Sequence, residues 1–290
     1  EKIGCMVTHI TDAFTIRLIQ LGEQQFGPPP MNYAWVVFGS QAREEQTART
    51  DQDNGMVLER KANKDEAAYF SKLASFVCDG LDALGYVYCP GEIMALNVKW
   101  RVHLAKWKRH FDAWIDEPDP KSVMHSSIFF DMRCVHGRHR LVAKLQKYAA
   151  KRAKENRIFR RFMAANVLAH RPPIGFFRRF VQEDDGTHTE GLNLKHRGIV
   201  PITDLVRMRA LEAGVQQANT FRRLEAVVAP PPVALGNAPC RRGDRGQQHG
   251  GRQDPLGHRA LLVESSQPVE HLADVETSFE VVVGDLTPGA

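Results

Sequence analysis

Cysteine is scarce and scattered in this chain of 290 residues: Cys5, Cys78, Cys89, Cys134 and Cys240 are odd in number and never form a C-x-x-C pair. That pattern argues against a disulfide framework and against a zinc site, and leaves buried free thiols as the reading. Long apolar runs are missing too. No stretch approaches 18 uninterrupted apolar residues, and the opening EKIGCMVTHITDAF has neither the basic head nor the apolar core of a secretory signal. A cytoplasmic protein without a membrane partner is therefore expected. The chain opens on Glu1 rather than on methionine, so we expect an upstream domain to precede it. Lysine disappears after Lys195, and from about Ala229 the sequence PPPVALGNAPCRRGDRGQQHGGRQDPLGHR has no helical period. Two origins fit residues 229–290: a disordered tail rich in Pro, Gly, Arg and Gln, or a stretch translated in a shifted frame.

What is present suffices for a globular fold, because 43% of the residues are hydrophobic. The net charge of +5 hides an uneven distribution: residues 99–179 hold 20 Lys and Arg against 6 Asp and Glu. Either these cations are solvated helix faces around a phosphate-handling site, or they meet a polyanion.

Apolar residues at helical spacing (Ile10, Phe14, Leu18, Leu21) predict a helix over 6–25, ended by Gly27 and three prolines. The run Tyr33–Phe38 reads as a buried strand closed by Gly39, and 55–58 reads as its neighbour. A long helix over 65–84 stops at Gly85. Leu104, Trp107, Phe111 and Trp114 mark a further helix, with the tryptophans in its core stripe. Ser127–Met132 (SIFFDM) reads as a third strand. Beyond it, helices are expected over 140–151, 156–170, 201–212 and 220–228.

The segment with chemistry in it is VVFGSQAREEQTARTDQDNGMVL, residues 36–58. On an extended backbone residues i and i+2 point the same way, so Asp51 and Asp53 project together while Gln52 faces away. Two convergent carboxylates suit a hard divalent cation whose shell is completed by substrate phosphates. Gly39 lets the backbone approach a phosphate, Ser40 adds a hydroxyl, and the short helix opening there adds its amide-rich start. An acid inside an apolar run needs a reason to be there, which makes Asp131 the candidate third carboxylate of a two-metal site and a candidate base for the attacking hydroxyl. For Arg43, a salt bridge to Glu44, Glu45 or a core carboxylate competes with phosphate contact.

At these residues the sequence resembles the DNA polymerase beta-like nucleotidyltransferases. More narrowly it is similar to the nucleotidyltransferases found beside CBS and cyclic-nucleotide-binding domains in bacterial signal-transduction proteins, relatives of the PII uridylyltransferase. The blocks GSQAREEQTARTDQDN, CPGEIMALNVKWR, SSIFFDMR, RPPIGFFRRF and LKHRGIVPITDLVRMRAL carry that resemblance between about residues 8 and 228. It departs at Ala42 and Glu44, which stand where glycine or smaller residues are frequent, and after Val228, where further helices are expected.

The resemblance implies an α+β fold: a small mixed β-sheet nucleotidyltransferase core flanked by helices (1–145), then an all-helical lobe (146–228) before the atypical tail (229–290). It implies Gly39, Ser40, Arg43 and Lys195 as nucleotide-binding residues, with Asp51, Asp53 and Asp131 holding two Mg2+ ions; the block after Cys89 and Lys195 are placed near the site, Lys195 as a phosphate ligand or else a surface cation. The implied partners are a nucleoside triphosphate (UTP among them), a PII-like protein acceptor, and upstream CBS or cyclic-nucleotide-binding domains. A non-catalytic nucleotide-sensing module is the alternative. Nucleic acid is not expected, because no recognisable nucleic-acid module accompanies the cations.

Overall fold

A computed structural model describes residues 2–47, 50–169 and 198–228, which all fall within one compact unit, Glu1–Ala229. The tail from 229 and the expected phosphate contact Lys195 lie outside the described residues.

The core begins with helix α1 (Lys2–Phe26) and strand β1 (Tyr33–Phe38), followed by the single turn α2 (Gly39–Ala42) and strand β2 (Asn54–Leu58). Helix α3 (Lys64–Ala83) and the short strand β3 (Arg101–His103) come next, and then helices α4 (Leu104–Asp116) and α5 (Pro120–Phe129) and strand β4 (Met132–Gly137). Helices α6 (His139–Glu155), α7 (Arg157–Ala169), α8 (Val200–Ala213) and α9 (Thr220–Val228) complete the lobe. The four-stranded sheet runs β3-β2-β1-β4, with β1 antiparallel to both neighbours and β2 parallel to β3. This is the mixed α+β core that the sequence predicts.

All six residues of β1 are buried, so both of its faces are covered. The period-2 alternation assigns them. Tyr33 meets Phe70 of α3 at 5.3 Å between ring centroids, and Trp35 and Val37 line a small enclosed cavity with Thr11 and Thr15 of α1. Phe38 points the other way, onto Trp107 of α4 (5.7 Å) and Phe129 of α5 (4.7 Å). The two predicted core tryptophans Trp107 and Trp114 are indeed buried.

One predicted element is corrected. Residues 127–132 do not form a strand: α5 runs to Phe129, and β4 starts only at Met132. Asp119 caps the start of this helix, its side chain accepting from the Ser122 amide, with Pro120 in the first turn. Such a start is a strong helical signal. So short an apolar run cannot by itself distinguish strand from buried helix, and here the capping chemistry upstream decides. Asp131 consequently sits in the turn between α5 and β4 rather than inside a strand.

No helix among the described residues is long and apolar enough to cross a membrane.

Candidate active site

Strand β1 delivers Phe38 and Gly39 to the edge of the D-x-D segment. The Phe38 amide donates to the Asp53 carbonyl at 2.9 Å, which locks the end of β1 to the start of β2. Gly39 adopts φ +56°, and a Cβ there would stand 3.0 Å from Asp53 Oδ2. Glycine is required twice over at this point: by the left-handed backbone, and by the close approach of a carboxylate. We expect Gly39→Ala to cost about 1–2 kcal/mol of stability from the backbone term alone. An unchanged urea midpoint would show that the turn relaxes freely.

Alternation along 51–54 sorts the side chains as the sequence predicts. Gln52 and Asn54 are buried, and their polar atoms are clamped from behind. Gln52 Nε2 donates to the carbonyls of Cys78 (2.9 Å) and Tyr86 (2.7 Å), and Asn54 Oδ1 accepts from the Ala95 amide at 2.8 Å. With those two residues fixed, Asp51 and Asp53 emerge together on the other face, half-buried. Their carboxylate oxygens and the Cys89 sulfur all lie within 4.8 Å of one another.

Cys89 joins this cluster: the resemblance implies that the block it begins lies near the site, whereas composition reads the residue itself as a buried free thiol. Its Sγ donates to Asp53 Oδ1 at 3.3 Å. Burial, followed by the nearby Asp53 carboxylate, pushes this thiol up to about 11. With no cation bound, the thiol is thus a hydrogen-bond donor to Asp53, and two of the three clustered groups are hard carboxylates. That donor set suits a hard divalent ion such as Mg2+, with the remaining positions left to water and phosphate. The backbone approach at Gly39 and the half-buried Ser40 adjoin the pair, and the first amides of a helical turn have no partner within it.

The third predicted acid goes elsewhere. Asp131 is fully buried, and both of its oxygens are occupied by arginine. Oδ1 accepts from Arg207 Nε (2.9 Å) and Arg223 Nη1 (2.5 Å), and Oδ2 from Arg43 Nη1 (2.7 Å) and Arg207 Nη2 (2.5 Å). Four charge-assisted hydrogen bonds satisfy a carboxylate, so Asp131 offers no open lone pair to a metal or to a hydroxyl proton. The expectation that it completes a two-metal cage is therefore corrected: two of the three acids come together, and the third closes an arginine cage. Arg43 bonds Asp131 and, through Nε, Glu45 at 2.8 Å, the carboxylate contacts among the alternatives its sequence position offers.

No motif in the sequence marks Arg207 or Arg223. The available signal is a charged residue among the core positions of a helix, since Arg207 shares the buried face of α8 with Thr203, Asp204, Ala210 and Leu211. Glu44, noted above as standing in a place where glycine is frequent, has φ +61°. The backbone there favours glycine, and the contacts of Glu44 hold it regardless.

Residues 1–121 match the family model described as Putative nucleotidyltransferase DUF294, and residues 139–233 match the one described as Putative nucleotidyltransferase substrate binding domain. No curated protein and no solved structure matches the chain.

Proposed function

Starting from a chain that carries both domains of this nucleotidyltransferase family, we propose that it transfers a nucleoside monophosphate from a nucleoside triphosphate to a hydroxyl of a protein. The observation that carries this reading is the contact of Gly39 with Asp53, which sets a glycine-serine turn directly against a pair of convergent carboxylates. Asp51 and Asp53 hold a divalent cation, Gly39 gives phosphate close access to the backbone, and Ser40 donates to it. The cation supplies charge neutralisation at the triphosphate. The acceptor oxygen bonds to the α-phosphorus, the bond to the bridging oxygen breaks, pyrophosphate leaves, and the hydroxyl proton passes to solvent. Asp131 has no part in that proton transfer, being enclosed by guanidinium groups.

The finer assignments rest on the resemblance of the sequence blocks quoted above. They are UTP as donor, a PII-like regulatory protein as acceptor, upstream CBS or cyclic-nucleotide-binding domains, and a place in bacterial signal transduction. A second reading, a nucleotide sensor without chemistry, draws on one observation: the third member of the cation cluster is a thiol, not a third carboxylate. Binding needs one cation, whereas two-metal displacement needs more oxygen ligands.

One experiment separates the two. The purified chain is incubated with each α-labelled nucleoside triphosphate, magnesium and a cell extract. Label entering a protein band in a magnesium-dependent way supports transfer. Saturable nucleotide binding with no labelled band under any condition supports the sensor and sinks the enzyme.

A further inference from the structure

The arginine cage around Asp131 does more than neutralise a buried acid, because its members come from two regions with different roles. Arg43 caps α2, the turn that begins at Gly39, and its amide donates to the Gly39 carbonyl at 3.1 Å. Arg207 belongs to α8 and Arg223 to α9, both within the segment matched by the substrate binding domain. We propose that Asp131 is a positioning residue that couples α8 and α9 to the phosphate turn: through Arg43 it fixes residues 39–45, and through Arg207 and Arg223 it makes that geometry depend on the docked lobe. The proposal rests on the nucleotidyltransferase reading for its consequence, but its structural half is testable alone.

Independent contacts point the same way. Asn219 Nδ2 donates to the Arg43 carbonyl at 2.6 Å, and the Thr220 amide donates to Glu45 Oε1 at 3.0 Å. Arg222 pairs with Glu44 Oε2 at 3.2 Å. Each of residues 43, 44 and 45 is thus held by the start of α9. Glu44 is the non-glycine residue of this turn with positive φ. A backbone of that kind is strained for a residue with a Cβ and persists only where its surroundings over-determine it. The surroundings here are α9 and the cage.

Arg223 is the keystone on the lobe side. It bonds Asp131, donates through Nη2 to the Phe130 carbonyl (3.1 Å), and donates through Nε to the Gln217 carbonyl (2.6 Å), so it ties the α8–α9 connection to the α5–β4 turn. A ligand that favours the docked lobe therefore favours the ordered turn. By linkage, a triphosphate on the turn favours that same ligand on the lobe, typically by about 5- to 150-fold.

The test uses the full chain with Arg223→Ala, and Leu211→Ala as a control that removes buried apolar packing from α8 while leaving the cage intact. Amide hydrogen exchange of the segment 39–45 is followed by mass spectrometry, and the affinity for a non-hydrolysable magnesium nucleoside triphosphate by calorimetry. In Arg223→Ala we expect exchange in 39–45 to quicken by about ten-fold or more and affinity to fall by a similar factor, with ethylguanidinium restoring both. Leu211→Ala lowers the melting temperature without either change. Equal effects of the two variants, or wild-type exchange in Arg223→Ala, would reduce the cage to ordinary structural packing and overturn the proposal. If wild type binds no nucleotide while exchange still responds to Arg223, the coupling stands and the nucleotidyltransferase reading is what fails.

Discussion

Asp53→Asn is expected to reduce nucleotidyl transfer by at least about a thousand-fold while leaving the fold intact. Withdrawing one anionic ligand from a bound divalent cation removes several kcal/mol of transition-state charge stabilisation, and each 1.36 kcal/mol is a factor of ten in rate. Asparagine has the same shape as aspartate, so the main chain of residue 53 keeps its bond to the Phe38 amide. The fold has reason to gain from the change. Asp51 and Asp53 place carboxylate oxygens within 4.8 Å of each other, and like charges so close repel when no cation lies between them. The melting temperature of the metal-free variant should therefore equal or exceed that of metal-free wild type. Wild type should gain stability on adding Mg2+, whereas the variant should gain much less. Transfer rates and thermal unfolding with and without Mg2+ are the measurements. Activity within ten-fold of wild type in Asp53→Asn would remove these carboxylates from the chemistry.

The sequence is most legible where one physical rule dominates. Strand β1 is bounded as expected at Tyr33–Phe38 because an aromatic and β-branched run meets a glycine that must take φ +56°. Helix α3 ends where a glycine with φ +92° follows, at Gly85. The shared direction of Asp51 and Asp53 follows from the pleat alone, and the clamps on Gln52 and Asn54 enforce it.

Legibility fails where the deciding partner is remote in sequence. Nothing local to SIFFDM reveals that Asp131 meets guanidinium groups 76 and 92 residues further along, so a buried acid invites a functional explanation that the fold does not need. The same holds for the contact of Cys89, 36 residues from the carboxylate to which it donates, although the resemblance places its block near the site. Strand β3 is missed for another reason: with three residues, Arg101–His103, it is too short to show alternation. Its pairing with β2 is tertiary context, not propensity.

Asp131→Asn is expected to destabilise the chain by about 3–5 kcal/mol at neutral pH, because it leaves three guanidinium groups facing a neutral amide at a fully buried position. Arg207 and Arg223 are almost completely buried and cannot turn to solvent without unseating α8 and α9. Burial on its own would raise the Asp131 carboxyl above its ordinary value of 3.8, but Arg207, Arg223 and Arg43 outweigh it and hold the group well below that value. The sign of the pH dependence follows. A carboxylate depressed in the folded state takes up protons more readily in the unfolded chain, so its contribution is complete above the ordinary value and is lost as pH falls beneath it. Other acids titrate equally in wild type and variant, so the difference between the two isolates Asp131. Urea unfolding should show a constant gap from pH 7 down to about 5, then a gap that narrows by up to about 1.4 kcal/mol per pH unit below the ordinary value. A gap that widens on acidification, or a variant as stable as wild type at pH 7, would mean that Asp131 is not the charged centre of the cage. A gap of the expected size that does not change down to pH 3 would show that the arginines are held by packing and not by the charge of Asp131. The lobe would then dock through its apolar contacts, with the carboxylate as a passive occupant.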